Sequence, residues 1–249
     1  MHTTRRVPPQ PSFSLVIPAY NEAESLCDLL REIRAREGLR HVEVIVVDDG
    51  SSDGTVERLR ALRAQGLAAR IVRHAGNLGQ SSAMHTGVRL AQGDWIVTMD
   101  GDGQNDPADV ERLIERLAEE DEAGSLELIC GHRHHRNDPW LKRVSSRIAN
   151  AVRAGLLGDG TPDTGCGLKV IKRSAFLDLP YFDHMHRFLP ALILRHGGRV
   201  ISVKVNHRRR LKGVSKYGVG NRLWVGIVDL AGVAWLKRRA KRPVFEEVQ

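Results

Sequence analysis

Short apolar runs alternate with helix-like stretches through the first half of the chain, and this alternation limits the fold more than any other feature. The runs are rich in β-branched residues and bounded by turn-forming residues, as the buried strands of parallel sheets are. Four occur, at 13–17, 43–47, 70–73 and 95–99. Repeated βα units imply an open, mostly parallel sheet with right-handed crossovers and helices on its faces. We therefore predict an α/β fold.

Two of the intervening stretches carry clear apolar stripes at helical spacing. In the first helix we predict Asn21 as the N-cap, and in the helix after residue 99 we predict Asp106 as the N-cap with Pro107 at the first position. The stripe residues are Leu26, Leu29, Leu30 and Ile33 in the former and Val110, Leu113, Ile114 and Leu117 in the latter.

Polar clusters follow three of the predicted strands. The first strand runs into PAYNE, the second into DDGSSDG and the fourth into DGDGQ. Open α/β sheets bind ligands at the carboxyl ends of their strands. Three acidic or amide-rich strand ends on one rim predict a site for a ligand that carries its own cation.

The DGDGQ segment is the strongest single motif. Asp100, Asp102 and Gln104 offer hard oxygen ligands suited to Mg²⁺ or Mn²⁺, and a metal that bridges to a diphosphate is the preferred interpretation. A calcium EF-hand is an alternative, because Glu111 stands at its position 12. That alternative fails, since position 6 is Asn105 rather than Gly and a strand, not a helix, precedes the loop.

The DDGSSDG segment is ordinary turn composition when taken alone. At a strand end, however, its carboxylates can accept hydrogen bonds from a nucleobase or a ribose hydroxyl. The chain contains no GxGxxG and no GxxxxGK[ST] motif, which disfavours a plain dinucleotide fold and a P-loop kinase.

The charge is divided unevenly along the chain. Through Cys130 there are 14 Lys and Arg against 22 Asp and Glu, and from Gly131 onward there are 24 against 8. The basic half predicts an anionic partner: nucleic acid, a phosphorylated substrate or an anionic membrane. The GHRHHR run at 131–136 fits no zinc spacing, and we interpret it as a solvated basic loop.

The C-terminal region and the cysteines bear on location. Residues 223–236 are apolar but too short to span a bilayer, and KRRAKR follows at 237–242. This segment is predicted either to lie on an anionic membrane surface or to pack on the core. The three widely spaced cysteines favour a reducing cytosol. We expect an N-terminal tail at 1–12, one domain at 13–218 and a C-terminal amphipathic helical extension at 219–249.

Several segments together resemble glycosyltransferase family 2, and in particular its polyprenyl-phosphate branch of dolichyl-phosphate mannosyltransferase and undecaprenyl-phosphate aminoarabinose transferase type. They are SLVIPAYNEAESL, VIVVDDGSSDGT, NLGQSSAMHTGVRLAQGDWIVTMDGDGQNDP and RRRLKGVSKY. The resemblance runs from about Ser14 to Tyr217. It implies a GT-A (Rossmann-like) fold, a nucleotide-sugar donor, GDP-mannose or a UDP-sugar, and a divalent metal.

The resemblance also implies roles for particular residues. The family's DxDxQ is matched by Asp100, Asp102 and Gln104, which would hold the metal and the donor diphosphate. Asp163 lies in an acceptor-side loop and is a secondary candidate. Donor-nucleotide contacts are implied for Pro18, Ala19, Tyr20, Glu22 and Asp49, with Asp48 as a further candidate. Catalytic or phosphate-binding roles are implied for Asp102, Arg133, Arg143 with Ser146, and Arg210 with Ser215 and Lys216.

Two departures from the family's pattern bear on location and donor. Several members carry C-terminal transmembrane helices, whereas none is predicted here, so the chain is expected to be peripheral on the inner face of the cytoplasmic membrane or to depend on an integral membrane partner. The GCG at 165–167 resembles the aminoarabinose type more than the SGF of mannosyl members, which leaves the donor sugar open.

The implied reaction is inverting transfer of a hexose-type sugar to a polyprenyl phosphate. A family 2 enzyme that uses a non-lipid or polysaccharide acceptor is an alternative. A nucleic-acid-binding protein is a distant one, because no binding motif occurs and aromatic residues are only 5% of the chain. We expect no nucleic-acid partner.

Overall fold

A computed structural model describes residues 11–121, 124–133, 152–209 and 220–241. Its centre is a mixed sheet of seven strands in the order β3-β2-β1-β4-β6-β5-β7. The strands are β1 (Phe13–Ala19), β2 (Glu43–Asp48), β3 (Arg70–Arg73), β4 (Trp95–Thr98), β5 (Leu126–Arg133), β6 (Lys169–Lys172) and β7 (Arg199–Val205). The four strands predicted in the first half are present, which confirms the α/β fold.

Helices connect the strands and cover both faces of the sheet. They are α1 (Leu26–Ala35), α2 (Thr55–Ala64), α3 (Gln80–Leu90), α4 (Pro107–Glu120), α5 (152–157), α6 (Arg173–Leu177), α7 (Leu189–His196) and α8 (Gly220–Arg238), with single 3₁₀ turns at Glu37–Leu39 and Met185–Arg187. The basic sequence of residues 139–157 also predicts a helix, and only its last part, α5, can be compared, because 139–151 lie outside the described residues.

Strand β6 runs against its neighbours. It pairs antiparallel with both β4 and β5, whereas the other pairs in the sheet are parallel. Because β6 returns from the edge at which β4 ends, the loop before it, residues 158–168, lies at the same rim as the DGDGQ segment. The segment TPDTGCGLKVI predicts a loop followed by a short strand, and β6 confirms that strand, but its direction has no local sequence signal.

Apolar side chains pack on both faces of the sheet. Along β1, Leu15 and Ile17 enter one core with α1, α2 and α4, while Val16 enters the other with α3, α6, α7 and part of α8. This alternation is the period of two that a strand imposes. All three side chains are fully buried, so β1 is a rigid central strand and the residues at its carboxyl end have a fixed position.

One of the two predicted helix starts is confirmed and the other is wrong. Asp106 caps α4 by accepting a hydrogen bond from the Ala108 amide at 2.9 Å, with Pro107 at the first position. Asn21 does not cap α1, which begins at Leu26 after Ser25. Asn21 instead takes a left-handed backbone conformation with φ of 52°, which asparagine tolerates. Its side-chain oxygen accepts from the Ser52 amide at 2.8 Å, so it ties two loops together.

The C-terminal helix is present and packs on the second core through Val233. Among the described helices none is long and apolar enough to cross a membrane. The expected division near residue 218 stays a prediction.

Candidate functional site

The loops after β1 and β2 form one continuous wall. The Asp49 amide donates to the Ala19 carbonyl at 2.8 Å, which joins the two strand ends. Further along, three backbone amides of the first loop donate to side chains of the second: Asn21 to Ser51 Oγ at 2.8 Å, Glu22 to Thr55 Oγ1 at 3.0 Å and Ala23 to Asp53 Oδ2 at 3.1 Å. The predicted donor residues Pro18, Ala19, Tyr20 and Glu22 are thereby brought beside Asp48 and Asp49.

Asp49 uses its carboxylate to hold a neighbouring loop. Its two oxygens accept hydrogen bonds from the amides of Leu78 at 3.0 Å and Gly79 at 2.7 Å, and Oδ1 lies 2.7 Å from His74 Nδ1. Gly79 immediately precedes α3. Asp49 therefore fixes the start of α3 next to the site, and its predicted contact with the nucleotide stays a prediction.

Asp48 is fully buried, and its two carboxylate oxygens differ in their hydrogen-bond partners. Oδ2 accepts from the Ser51 amide at 3.2 Å and lies 3.4 Å from Arg73 Nε. Oδ1 has no hydrogen-bond partner within the described part of the chain. A buried carboxylate oxygen without a partner is costly, and such atoms are rare in native proteins. This oxygen is therefore a natural acceptor for a donor group on a ligand.

Asp100 is held from three sides at the end of β4. Gln80 Nε2 donates to its Oδ1 at 2.8 Å, and the Asp100 amide donates to Asn105 Oδ1 at 3.1 Å. On the third side is Gly167: a Cβ atom built there would lie 2.1 Å from Asp100 Oδ2. The carboxylate thus rests against the bare backbone of the loop before β6, in a position that only glycine permits.

In the protein without a ligand, the surroundings of Asp100 disfavour the ionised form of its carboxyl group. Burial raises the pKa of the Asp100 carboxyl to about 6, and the nearby Asp102 carboxylate adds to the rise. The cations of Lys169 and Arg133 and the hydrogen bond from Gln80 oppose that rise in pKa. Two carboxylates close enough to repel each other are expected where a cation binds between them.

The residues present fit a metal that is shared with a ligand. The described residues contain no group of three or more His, Cys, Asp or Glu side chains arranged around a metal position. The available ligands are two carboxylates, Asp100 and Asp102, and the amide of Gln104. Mg²⁺ commonly binds through one or two carboxylates together with the phosphates of a substrate. The set therefore suits a cation bound to a diphosphate better than an all-protein metal centre.

Gln104 is joined to the segment after β7. Its carbonyl accepts a hydrogen bond from the Arg208 amide at 2.9 Å. The Arg208 guanidinium forms a bidentate ion pair with Glu32 of α1 at 2.7 and 2.8 Å and lies 2.8 Å from Asp106 at the start of α4. These acids raise the pKa of the Arg208 side chain. A cleft of about 120 Å³ lies beside Arg208 and Asp102.

Arg133 and Asp163 form a buried bidentate ion pair. Arg133 Nε donates to Asp163 Oδ2 at 2.7 Å and Nη2 donates to Oδ1 at 2.8 Å, with the two side chains 16% and 5% exposed. A Cβ atom built at Gly165 would lie 3.3 Å from Arg133 Nη2, and one at Gly167 would meet the Asp100 carboxylate, so Arg133 and Asp100 both lie against the loop before β6. Asp163 fixes the direction in which the Arg133 guanidinium points, and the predicted roles of both residues in the reaction stay predictions.

Three residues at the site were not predicted from sequence. Gln80 and Gly167 contact the Asp100 carboxylate directly. Lys169 is only 2% exposed, and its Nζ donates to the Cys166 carbonyl. Gln80 lies in one of the segments that carry the family resemblance, and Lys169 lies between two of them. The sequence around each residue does not distinguish it from a polar residue on the surface.

Five predicted site residues lie outside the described residues. They are Arg143, Ser146, Arg210, Ser215 and Lys216. The proposed roles of these five residues stay predictions.

The prediction of a solvated basic loop at 131–136 is wrong for its described part. Residues 131–133 end strand β5, and the Arg133 side chain is only 16% exposed in its ion pair with Asp163. Residues 134–136 lie outside the described residues.

Comparison with known proteins gives a family and several relatives. The family model for glycosyl transferase family 2 matches residues 14–179. The chain is 37% identical over 236 residues to dodecaprenyl-phosphate galacturonate synthase of Rhizobium johnstonii, covering 92% of this chain and 68% of that protein. It is 35% identical over 209 residues to undecaprenyl-phosphate 4-deoxy-4-formamido-L-arabinose transferase of Edwardsiella ictaluri, covering 83% of this chain and 63% of that protein. The chain thus spans about two thirds of the length of these relatives.

Solved structures share the fold at low sequence identity. Glucosyl-3-phosphoglycerate synthase of Mycobacterium tuberculosis, in complex with Mn²⁺, UDP-glucose and phosphoglyceric acid, superposes with a TM-score of 0.68 at 19% identity, over 93% of this chain and 81% of that one. Mannosyl-3-phosphoglycerate synthase of Rubrobacter xylanophilus gives a TM-score of 0.66 at 14% identity, over 95% and 77%. Both support the predicted GT-A fold.

Proposed function

Because the chain belongs to glycosyl transferase family 2, we propose that it transfers a hexose-type sugar from a nucleotide-sugar donor to a polyprenyl phosphate. The observation that carries this proposal is the likeness, at 37% and 35% identity, to two transferases named for dodecaprenyl and undecaprenyl phosphate. It is supported by a strand-end site whose paired carboxylates suit a cation and a diphosphate.

The reaction we propose is a single displacement with inversion. A phosphate oxygen of the acceptor attacks the anomeric carbon, an oxygen–carbon bond forms, and the bond from that carbon to the nucleoside diphosphate breaks. A phosphate dianion is already nucleophilic at neutral pH, so no strong general base is needed. A divalent cation, Mg²⁺ or Mn²⁺, held by Asp100, Asp102 and Gln104 would neutralise charge on the departing diphosphate.

In this scheme the protein contributes position and positive charge. Arg133, oriented by Asp163, lies near Asp100 and would stabilise charge on one of the two phosphate groups. Arg143 with Ser146, and Arg210 with Ser215 and Lys216, are proposed to bind the acceptor phosphate or the leaving diphosphate. The Asp49 contacts hold the start of α3, so that Gln80 can donate to the Asp100 carboxylate.

Asp48 favours a uridine donor over a guanosine donor. Its unpaired Oδ1 can accept one N–H group, while Oδ2 is already engaged by Ser51 and Arg73. Uracil presents one N–H between two carbonyl oxygens, and the adjacent Arg73 can donate to a carbonyl. Guanine presents two neighbouring donors, N1–H and the N2 amine, and would need both carboxylate oxygens. Of GDP-mannose and UDP-sugars, we therefore propose the latter.

The central experiment is a transfer assay with labelled donors. The protein is incubated with Mn²⁺ or Mg²⁺, a panel of UDP-sugars and GDP-mannose, and undecaprenyl or dolichyl phosphate. We expect label in the organic extract from a UDP-sugar, and none after chelation of the metal. Label found only in water-soluble product would refute the lipid-phosphate acceptor. Undiminished transfer by Asp102→Ala would refute the metal assignment.

Competition by free nucleotides tests the donor base separately. We expect UDP to inhibit transfer at least about tenfold more strongly than GDP, since a binding site that leaves a buried polar group unpaired discriminates strongly. In Asp48→Asn this preference should shrink, because the amide replaces a pure acceptor with a mixed donor and acceptor. Equal inhibition by UDP and GDP in the wild-type protein would contradict the uridine proposal.

We also propose that the protein works at the inner face of the cytoplasmic membrane, as a peripheral protein or with an integral membrane partner. The three cysteines are buried free thiols, as expected in a reducing compartment. The relatives' names place their acceptors among polyprenyl phosphates, which are membrane lipids.

A further inference from the structure

The C-terminal helix α8 has a packed face and a face that is open to solvent. On the packed face Val233 is 1% exposed, Arg195 Nε donates to the Leu236 carbonyl at 2.9 Å, and Lys237 Nζ donates to the Leu157 carbonyl. The helix is therefore fixed to the body of the protein rather than loosely attached to it.

Among the described side chains of α8 from 225 to 237, all the exposed ones are apolar. The large ones, Ile227, Val228 and Trp235, are 50%, 54% and 59% exposed. With the exposed Ala231 and Gly232 they repeat at 1-3-1-3 spacing, which places all five on one stripe of the helix. We call these five residues the outer stripe. Leaving three large apolar side chains in water on one rigid face is unfavourable, and such patches mark interaction surfaces.

A second short helix adds to the apolar surface. Helix α5 exposes Val152 and Leu156, which are four residues apart and lie on its same side, at 52% and 55% exposure. The bond from Lys237 to the Leu157 carbonyl puts the end of α5 beside the end of α8. Two neighbouring helices thus both present exposed aliphatic side chains.

The charges around the outer stripe select the kind of partner. The acid Asp229 is turned inward, with an oxygen 3.2 Å from His184 Nδ1, and it is the only acidic residue among the described side chains of 225–241. Beyond the stripe stand the exposed Arg238, Arg239 and Lys241, and the Arg239 guanidinium lies 6.0 Å from the centre of the Trp235 ring. An apolar stripe with a tryptophan and a cationic end complements the headgroup region of an anionic bilayer.

We propose that the outer stripe of α8, together with Val152 and Leu156, is the surface that seats this protein on an anionic lipid bilayer. Helix α8 then lies in the plane of the interface with its inner face on the protein. This inference deepens the proposed function, and it rests on that function only in supposing that the acceptor is in the bilayer. The predicted alternatives for the C-terminal segment, packing and membrane contact, are thereby assigned to opposite faces of one helix.

Vesicle binding tests the surface without turnover. The full chain is sedimented with phosphatidylcholine vesicles with and without phosphatidylglycerol, in the absence of donor and acceptor. We expect it to pellet with the anionic vesicles, and the triple variant Ile227→Gln, Val228→Gln, Trp235→Gln to bind at least tenfold more weakly. The double variant Leu177→Gln, Tyr181→Gln, which removes exposed apolar side chains elsewhere, should bind as the wild type does. Arg238→Gln with Arg239→Gln should reduce the preference for anionic vesicles.

Several outcomes would overturn the proposal. One is wild-type protein that stays in the supernatant, and another is a triple variant that pellets like the wild type. A third is a wild type that runs as a dimer in gel filtration while the triple variant runs as a monomer, which would make the stripe an interface between two copies. Transfer to a short-chain, water-soluble polyprenyl phosphate separates the two proposals. The triple variant should keep that activity if it is folded, whereas a wild type that binds vesicles but transfers no sugar to any phosphate refutes only the proposed function.

Discussion

At the scale of single residues, the Asp100 carboxylate depends on the absence of a side chain at Gly167. The nearest approach of a Cβ atom built there is 2.1 Å, to Asp100 Oδ2. No ordinary contact is that short, so either the carboxylate or the loop before β6 must move. The same loop carries Asp163, the partner of Arg133, and a shift would disturb both charged groups.

We predict that Gly167→Ala lowers kcat about 100-fold, because a displacement near 1 Å of a group that positions the reaction can have that effect. Steady-state kinetics over a range of Mn²⁺ concentrations are the measurement, and the apparent metal affinity should fall as well. Gly155→Ala is the matched control, since a Cβ there meets no atom within 4 Å. Equal activities for the two variants would contradict the inference that Gly167 positions Asp100, the predicted metal ligand.

Asp49 should contribute to the stability of the fold, because its carboxylate holds the loop that precedes α3. Asp49→Ala leaves the amides of Leu78 and Gly79 without their acceptor, in two part-buried hydrogen bonds. We expect a loss of about 2–4 kcal/mol in the free energy of unfolding, measured by urea denaturation, because two amides lose charge-assisted hydrogen bonds to a buried carboxylate. Glu57→Ala removes an exposed acid in the first turn of α2 and should lose less than about 0.5 kcal/mol. Equal losses would show that Asp49 does not hold the start of α3.

At the scale of secondary-structure elements, Arg208 joins three parts of the fold. Its side chain pairs with α1 and with the start of α4, and its amide donates to the DGDGQ segment. Asn206 adds a bond from its amide to Asp109 of α4 at 2.6 Å. The chain therefore leaves β7 in a fixed direction alongside the predicted metal ligands, two residues before Arg210.

We predict that Arg208→Gln lowers kcat/KM about tenfold through misplacement of the following segment. Its cost in stability should be small, about 1 kcal/mol or less, because the ion pairs are partly exposed. Arg116→Gln is the control: Arg116 also forms two ion pairs with acids, but on the exposed side of α4. The proposal fails if both variants lose the same activity, or if Arg208→Gln loses activity only in proportion to its stability.

At the scale of the whole molecule, buried basic groups make stability depend on pH. Burial holds the pKa of His186 well below its ordinary value, and the cations of Arg187 and Lys169 act in the same direction. His186 Nδ1 lies 2.7 Å from Ser81 Oγ, at the start of α3. The folded protein therefore keeps this imidazole neutral at a pH at which the unfolded chain protonates it.

The unfolded state thus binds more protons than the folded state below about pH 6.5, the usual pKa of histidine. Stability from this group is complete above that pH and is lost as the pH falls through it. We predict that the Tm of the wild type falls between pH 7.5 and pH 5.5 by more than that of His186→Gln, which cannot titrate. Parallel falls in the two proteins, measured by calorimetry, would assign the effect to other groups.

The sequence by itself determined the elements of the first half and the polar strand ends. Strands buried on both faces have a short β-branched pattern, helices on a sheet have an apolar stripe, and parallel strands end on one rim, so Asp48 and Asp100 had to lie at that edge. The cap at Asp106 was also predictable, because capping is a contact between near neighbours in the chain.

Only the tertiary structure decided which of these residues are fully engaged by the protein and which keep an oxygen without a partner among the described residues. Asp48 and Asp49 are adjacent and chemically identical, yet one carboxylate is used by distant amides and the other keeps an oxygen unpaired. The contact between Gly167 and Asp100 and the two faces of α8 likewise depend on residues far apart in sequence. Such contacts depend on how the helices and strands pack against one another. The residue types near one position in the sequence do not indicate which distant residue will contact it.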